Sequence, residues 1–252
     1  MKDVVVTDAT REMLIRYAVQ YETAAFLDGD PSFWMHQVSG IENQETMAFL
    51  ASCLSYGSRK QFLPKIAQLL DWSGGDVYNW VRNGGFKKQF CSGDTSCFYR
   101  LYNNDCMHNF LCATQQLLTD FGSIGGYVRS CASDGFGAVQ AISSYYASKG
   151  VSVVVPKDTQ SACKRICMFL RWMVRSGSPV DLGLWSDFID RRSLIMPLDT
   201  HVVSQSVRLG LLPCSSASMS SARRLTATLT SVFPDDPLRG DFALFGYGVN
   251  NE

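Results

Sequence analysis

Two side chains in this chain have types and placement that could do chemistry together: a lysine opening one helix and an aspartate opening the next. The run SACKRICMFLRWMVRSG sets Ile166, Phe169, Leu170 and Met173 at i, i+3, i+4 and i+7. That spacing predicts a helix over 161–175 with one apolar face and with Lys164 and Arg165 in its first turn. Further on, PLDTHVVSQSVRLGLL predicts a second helix, with Asp199 as its N-cap and Gly210 as its end. A lysine amine that is partly neutral can attack an electrophilic carbon and leave a Schiff base, and burial or a neighbouring cation such as Arg165 favours the neutral form. A carboxylate beside it can stabilise a developing cation or take up a proton. The ordinary roles are a solvent-facing lysine and a helix-capping aspartate, and both kinds of role stay open at this point.

The rest of the chain supplies the elements that would hold these two residues. Residues 8–27 read as a helix with Met13, Tyr17, Tyr21 and Ala24 along one face, and LDGDPSF as a turn stopped by Pro31. Residues 44–56 are apolar almost all round and predict a buried central helix ending at Gly57. Ser58 then caps RKQFLPKIAQLLDW, which Pro64 would bend. Glycines at 74, 75, 84, 85 and 93 break residues 74–96 into short helical pieces. The pattern over 98–121 predicts one long helix, GSIGGY a break, and 138–147 another helix. VSVVV, at 151–155, has strand-like β-branching but reads as an extended connector in so helical a chain. SSASMSS after Pro213 reads as a mobile loop, 222–233 as a helix, and DFALFGYGVNNE as a last short one.

With 252 residues, 46% of them hydrophobic and 18% charged, the chain can bury a substantial core. Its 23 basic and 23 acidic residues cancel. Their distribution is uneven, however. Residues 156–224 carry 10 Lys/Arg against 5 Asp/Glu, so the positive excess sits on the stretch that holds Lys164 and Asp199. Nine cysteines without a CxxC pair, and three isolated histidines, argue against a disulfide framework, a structural zinc or an iron–sulfur cluster. No run reaches 18 apolar residues and no apolar leader opens the chain, so the reading is a cytoplasmic protein without membrane spans.

PLDTHVVSQSVRLGLL resembles the segment of helix-hairpin-helix DNA glycosylases in which a VDTH-type run carries the catalytic aspartate. SACKRICMFLRW is similar to the helix after their hairpin, whose first turn holds the Schiff-base lysine. The SACKR, FLRWMVR, LDTHV and DFALFGYG blocks together look most like an uncharacterised bacterial family. The resemblance covers roughly 44–249. It implies an all-α, two-lobed helix-hairpin-helix glycosylase-like fold. In that fold 1–252 would form a single helical unit, with about 30–150 mostly in one lobe and 1–29 and 151–252 mostly in the other, around a cleft. Two departures stand against it. The family's glycine-rich LPGVG hairpin is replaced by VVVPKDTQSACKR, and Asp199 follows Lys164 by 35 positions because SGSPVDLGLWSDFIDRRS is inserted, which is closer to the archaeal 8-oxoguanine glycosylases.

The resemblance implies base excision from double-stranded DNA, with abasic-site lyase activity if Lys164 is the nucleophile and Asp199 stabilises the sugar cation. It needs neither cofactor nor metal. Phosphate contacts would come from Lys157, Thr159, Ser161 and Arg165, and from Ser58 at the turn after the central helix. An extruded base would need an aromatic or apolar pocket, for which Tyr56, Trp172, Trp185, His201 and Phe245 are the candidates. His201 has structural hydrogen bonding as its ordinary role, and Trp172 has core packing. The alternatives are a non-catalytic nucleic-acid-binding or interaction protein on the same fold, or an enzyme acting on a modified nucleoside.

Overall fold

The computed structural model describes residues 5–213 and 216–251, and it is helical, with strand limited among those residues to a two-stranded hairpin and one isolated bridge. The fold class is all-α. The chain divides into two compact units, one made of residues 1–26, 134–139 and 159–252, the other of 27–133 and 140–158.

The second unit is built on α2 (Ile41–Leu54), whose residues are buried without a break from Glu45 to Leu54. A helix buried all round has to be enclosed by others. These are α3 (Arg59–Ser73), α4 (Val77–Arg82), α5 (Asn104–Phe121) and α6 (Ile124–Cys131), with α7 (Gly135–Ser148), whose first turn counts with the other unit. Phe49 of α2 lies 5.9 Å from Phe110 of α5 and 5.5 Å from Tyr146 of α7, ring to ring. The Tyr146 hydroxyl is paired with Thr114 at 2.8 Å, so this aromatic centre leaves no polar tip stranded there. The α3 helix keeps Pro64 in its second turn, giving up one backbone hydrogen bond.

Two local readings change here. The long helix expected from residue 98 begins only at Asn104, because the Asn103 side chain accepts from the Cys106 amide at 2.7 Å and caps it there. The residues before it form a hairpin, β1 (Cys97–Tyr99) against β2 (Tyr102–Asn103), turned by Arg100 at φ 50°. The break expected over GSIGGY is confined to Gly122 and Ser123, and α6 starts at Ile124. Ser123 accepts from the Gly126 amide, and the buried Glu45 carboxylate accepts from the Ile124 and Gly125 amides at 2.6 and 3.1 Å. Three otherwise orphaned donors are satisfied, which outweighs the low helix propensity of two glycines.

The first unit holds α1 (Asp8–Tyr21), α8 (Lys164–Val174), α9 (Thr200–Arg208), α10 (Met219–Thr230) and α11 (Arg239–Asn251). The α1 helix ends six residues short of the expected point, passes into a 3₁₀ turn at Ala24–Leu27, and buries Leu14 and Ala18 rather than Met13. The loop expected over 215–221 begins at Ser215, which lies outside the described residues. Its second half is already α10, capped by Ser218. The α1 and α9 helices both approach α11 across glycines. A Cβ on Gly246 would come within 2.3 Å of Tyr21, and one on Gly248 within 2.4 Å of His201 Nε2. A side chain at either position would force the Tyr21 or His201 ring to shift.

Candidate functional site

The α8 helix is the central element of the first unit: every residue from Ile166 to Val174 is buried. Only its N-terminal turn opens outward. The chain enters through Cys163, held in the left-handed conformation at φ 47°, ψ 37° with no side-chain cap. Ser161, two residues earlier, is pinned by a bridge to Ser218. Lys164 is the first helical residue, so its amide needs no intrahelical partner and its side chain is free to point away from the core.

The α9 helix is set by a different device. Leu194 to Leu198 are buried, and the Met196 amide donates to Thr226 of α10 at 2.9 Å. The chain then reaches Asp199 in extended conformation. Asp199 Oδ1 accepts from the Val202 amide at 2.8 Å, closing the cap. Its other oxygen, Oδ2, faces Lys164 Nζ at 3.5 Å. Capping and ion pairing are therefore not alternatives: one carboxylate does both, an oxygen to each. The pair is long for a charge-assisted hydrogen bond, about 2.7–2.9 Å, and its side chains keep 33% and 38% of their surface. It is a loose, half-open pair.

Behind it runs a buried ladder of charge. Arg171 is two turns along α8 from Lys164 and Arg175 one turn further, on the same side. Arg171 donates to Asp241 of α11 and, through Nε, to Asp181 at 3.2 Å. Arg175 donates to Asp181, to Asp236 at 2.8–3.1 Å and to Glu22 at 2.6 Å, and Arg239 donates to Glu22 at 3.1 Å. Arg171 and Arg175 side chains are 3% and 2% exposed, and Asp181 is fully buried. Including Lys164 and Asp199, the ladder has four cations and five carboxylates, one negative charge in excess.

The titration of these groups follows from that arrangement. Burial raises the Asp241 carboxyl above the usual carboxylate value. The Asp199 charge pushes it the same way, while Arg171 and Lys164 pull against both without cancelling them. Asp181 is raised for the same first reason, despite two arginines. At Glu22 burial also raises, but the Arg175 charge and hydrogen bonds from Arg175, Ser178 and Arg239 outweigh it, and the carboxyl lies below its usual value. Arg175 is driven further up, as its carboxylates overcome its burial.

The segment 176–193 between Lys164 and Asp199 explains how two residues so far apart in sequence meet. It folds back on the C-terminal end of α8. Leu182 and Gly183 donate their amides to the Trp172 carbonyl at 2.8 and 3.1 Å, and Trp185 donates its amide to Met173 at 2.7 Å. Orphan carbonyls of the helix are satisfied by this segment, which also delivers Asp181 to the arginines.

The other expected site residues fall in several places. Thr159 and Arg165 are half-buried and Ser161 is exposed, all near the start of α8 in the first unit. Trp172 and Trp185 are 0% and 2% exposed, Trp185 packing edge-on against Phe169 at 5.2 Å, so both fill the core of that unit. His201 is half-buried against Gly248, and Phe245 against Tyr21 and Phe26. Lys157, Tyr56 and Ser58 belong to the second unit, all exposed, with Tyr56 beneath the Arg100 guanidinium at 5.0 Å. Among the described residues no group of three His, Cys, Asp or Glu is placed to hold a metal ion, and no helix is long and apolar enough to cross a membrane.

The ladder was missed in the sequence, where the helix over 161–175 was read only for its apolar face. The signal was there: two arginines inside an otherwise apolar helical run need buried carboxylates.

A family model described as "Protein of unknown function (DUF2400)" matches residues 30–250, and the chain belongs to that family. No curated protein and no solved structure matches it. The matched span takes in most of both units, leaving out α1, and includes the whole Lys164–Asp199 site.

Proposed function

We propose that this protein is a DNA base-excision glycosylase with abasic-site lyase activity, of the helix-hairpin-helix glycosylase type, acting on double-stranded DNA. One observation carries the reading: Lys164 Nζ and Asp199 Oδ2 lie 3.5 Å apart and half-open at two adjacent helix starts, although 35 positions separate them in the chain. In this reading Asp199 stabilises positive charge on the sugar as the bond to the base breaks. The Lys164 amine attacks the same carbon, displaces the base and loses a proton; the C1′–O4′ bond then opens with protonation of O4′, leaving a Schiff base between lysine and sugar. A ladder with one carboxylate in excess behind the site favours positive charge developing on a sugar held at its open end, and Asp199 stands where it can take the proton the amine must lose. Thr159, Ser161 and Arg165 lie beside the start of α8, where backbone phosphates would be held.

The same ion pair also suits a second reading, a nucleic-acid-binding module whose lysine is simply salt-bridged. The enzyme reading is preferred because the half-open pair leaves both groups within reach of a substrate. Asp199→Asn separates the two. Asparagine caps a helix about as well as aspartate, so the variant should fold like the wild type. It should release no base from a panel of lesion-bearing duplexes that the wild type cleaves. Full base release by Asp199→Asn overturns the assignment.

A further inference from the structure

The two helix starts that meet at the site are built differently. At α9 the Asp199 backbone is extended and its side chain closes the cap. At α8 the residue in the capping position, Cys163, is left-handed at φ 47°, ψ 37° and gives no side-chain cap. Among the described residues only Cys163 and Arg100 are non-glycine residues at positive φ, and Arg100 lies in the turn of the hairpin. The left-handed region crowds a Cβ, so the surroundings of Cys163 must impose it.

They do so from both sides. Upstream, Ser161 is bridged to Ser218 at the start of α10, and its hydroxyl lies 3.7 Å from Cys163 Sγ. The Cys167 thiol, one turn into α8, donates back to the Ala162 carbonyl at 3.5 Å. Downstream, the Cys163 carbonyl accepts from the Cys167 amide at 3.0 Å, the bond that begins the helix. Cys163 is itself 2% exposed, so its side chain is packed in place. The left-handed residue is thus the corner between a pinned segment and a buried helix, and Lys164 comes next. A lysine amine ends a flexible four-carbon stem. Its reach to Asp199 Oδ2 at 3.5 Å therefore depends on where the backbone sets the Lys164 Cα.

We propose that Cys163 is a positioning residue of the site: its left-handed backbone aims Lys164 at Asp199. Its part in catalysis rests on the glycosylase reading above; the aiming itself does not. Asp199 is fixed independently by its cap on the Val202 amide. An extended residue at 163 would bring the chain into α8 from another direction, and could not keep both Ser161 on Ser218 and Lys164 on Asp199.

Two replacements separate the backbone from the thiol. Glycine accepts the left-handed region without strain and has no side chain. Threonine is close to cysteine in size, is β-branched against that region, and caps a helix well from an extended backbone. Asp199→Asn is introduced into the wild type and into each variant, without DNA. The NMR signal of the Lys164 ε-carbon in isotope-labelled protein, identified by its loss in Lys164→Gln, is compared before and after that change at neutral pH. Asp199→Asn should displace the signal in the wild type and in Cys163→Gly, and the displacement should be lost in Cys163→Thr. Its absence in the wild type, its persistence in Cys163→Thr or its loss in Cys163→Gly each overturns the inference. If circular dichroism shows Cys163→Thr to be unfolded, the Cys163→Gly arm decides alone. In an active protein, Cys163→Thr should slow single-turnover Schiff-base trapping roughly tenfold or more at unchanged DNA affinity, while Cys163→Gly keeps the wild-type rate. A wild type that traps no DNA removes the glycosylase reading and leaves the NMR result standing.

Discussion

The two ends of α8 carry the same kind of interaction and put it to different use. At the C-terminal end Arg175 is 2% exposed and holds Asp181, Asp236 and Glu22 together. At the N-terminal end Lys164 meets a single carboxylate, with a third of each side chain in solvent. A buried ion group cannot lose one member without stranding the others in a low dielectric. An exposed pair is screened, and its contribution to stability is about 0–1 kcal/mol. The buried end is therefore committed to holding the fold, while the open end can be altered at little structural expense. A site that must change its charge during a reaction belongs at the second kind of place.

Cutting the buried end should have the largest effect. Arg175→Ala leaves three carboxylates without their shared cation and should cost about 3–5 kcal/mol, read from urea unfolding. A cost below about 1 kcal/mol would mean that the two ends do not differ as described.

The open end should respond according to what each oxygen of Asp199 does. Asp199→Ala loses the cap on the Val202 amide and should cost roughly 0.5–2 kcal/mol, whereas Asp199→Asn should be nearly neutral in the same assay. Equal losses in both would show that the charge, not the cap, holds the start of α9.

The pH dependence sharpens the comparison further. Glu22 is depressed, so its stabilising contribution is present above its unfolded value and lost as pH falls through its folded one. Asp241 is raised, so ionising it costs stability as pH rises from its unfolded value through its folded one. From acid to neutral pH, the deficit of Glu22→Gln against the wild type should therefore widen. Over the same range Asp241→Asn should gain on the wild type. Unfolding at a series of pH values reads both, and parallel trends would break the distinction.

Much of this was legible in the residues. The apolar spacing of Ile166, Phe169, Leu170 and Met173 and the capping pattern at Asp199 located α8 and α9 closely, because both signals are local. The hairpin at 97–103 was not legible. Phe98, Leu101 and Tyr102 fit a helical period, and only the Asn103 cap and the turn at Arg100 exclude it. The start of α6 was hidden for the opposite reason: Glu45, far away in the chain, supplies the acceptor that two glycines could not. The ladder was hidden because its buried carboxylates come from the residue after α1, the segment after α8, the turn before α11 and α11 itself, and no period in the sequence joins them.

The central claim is that Lys164 is a nucleophile and not only a partner for Asp199. Borohydride reduction of the protein with abasic or oxidised-base duplex, followed by digestion and mass spectrometry, tests it directly. The account predicts a covalent protein–DNA adduct on the peptide bearing Lys164, lost in Lys164→Gln while the protein remains folded. An adduct mapped to another residue, or trapping undiminished in Lys164→Gln, would contradict it.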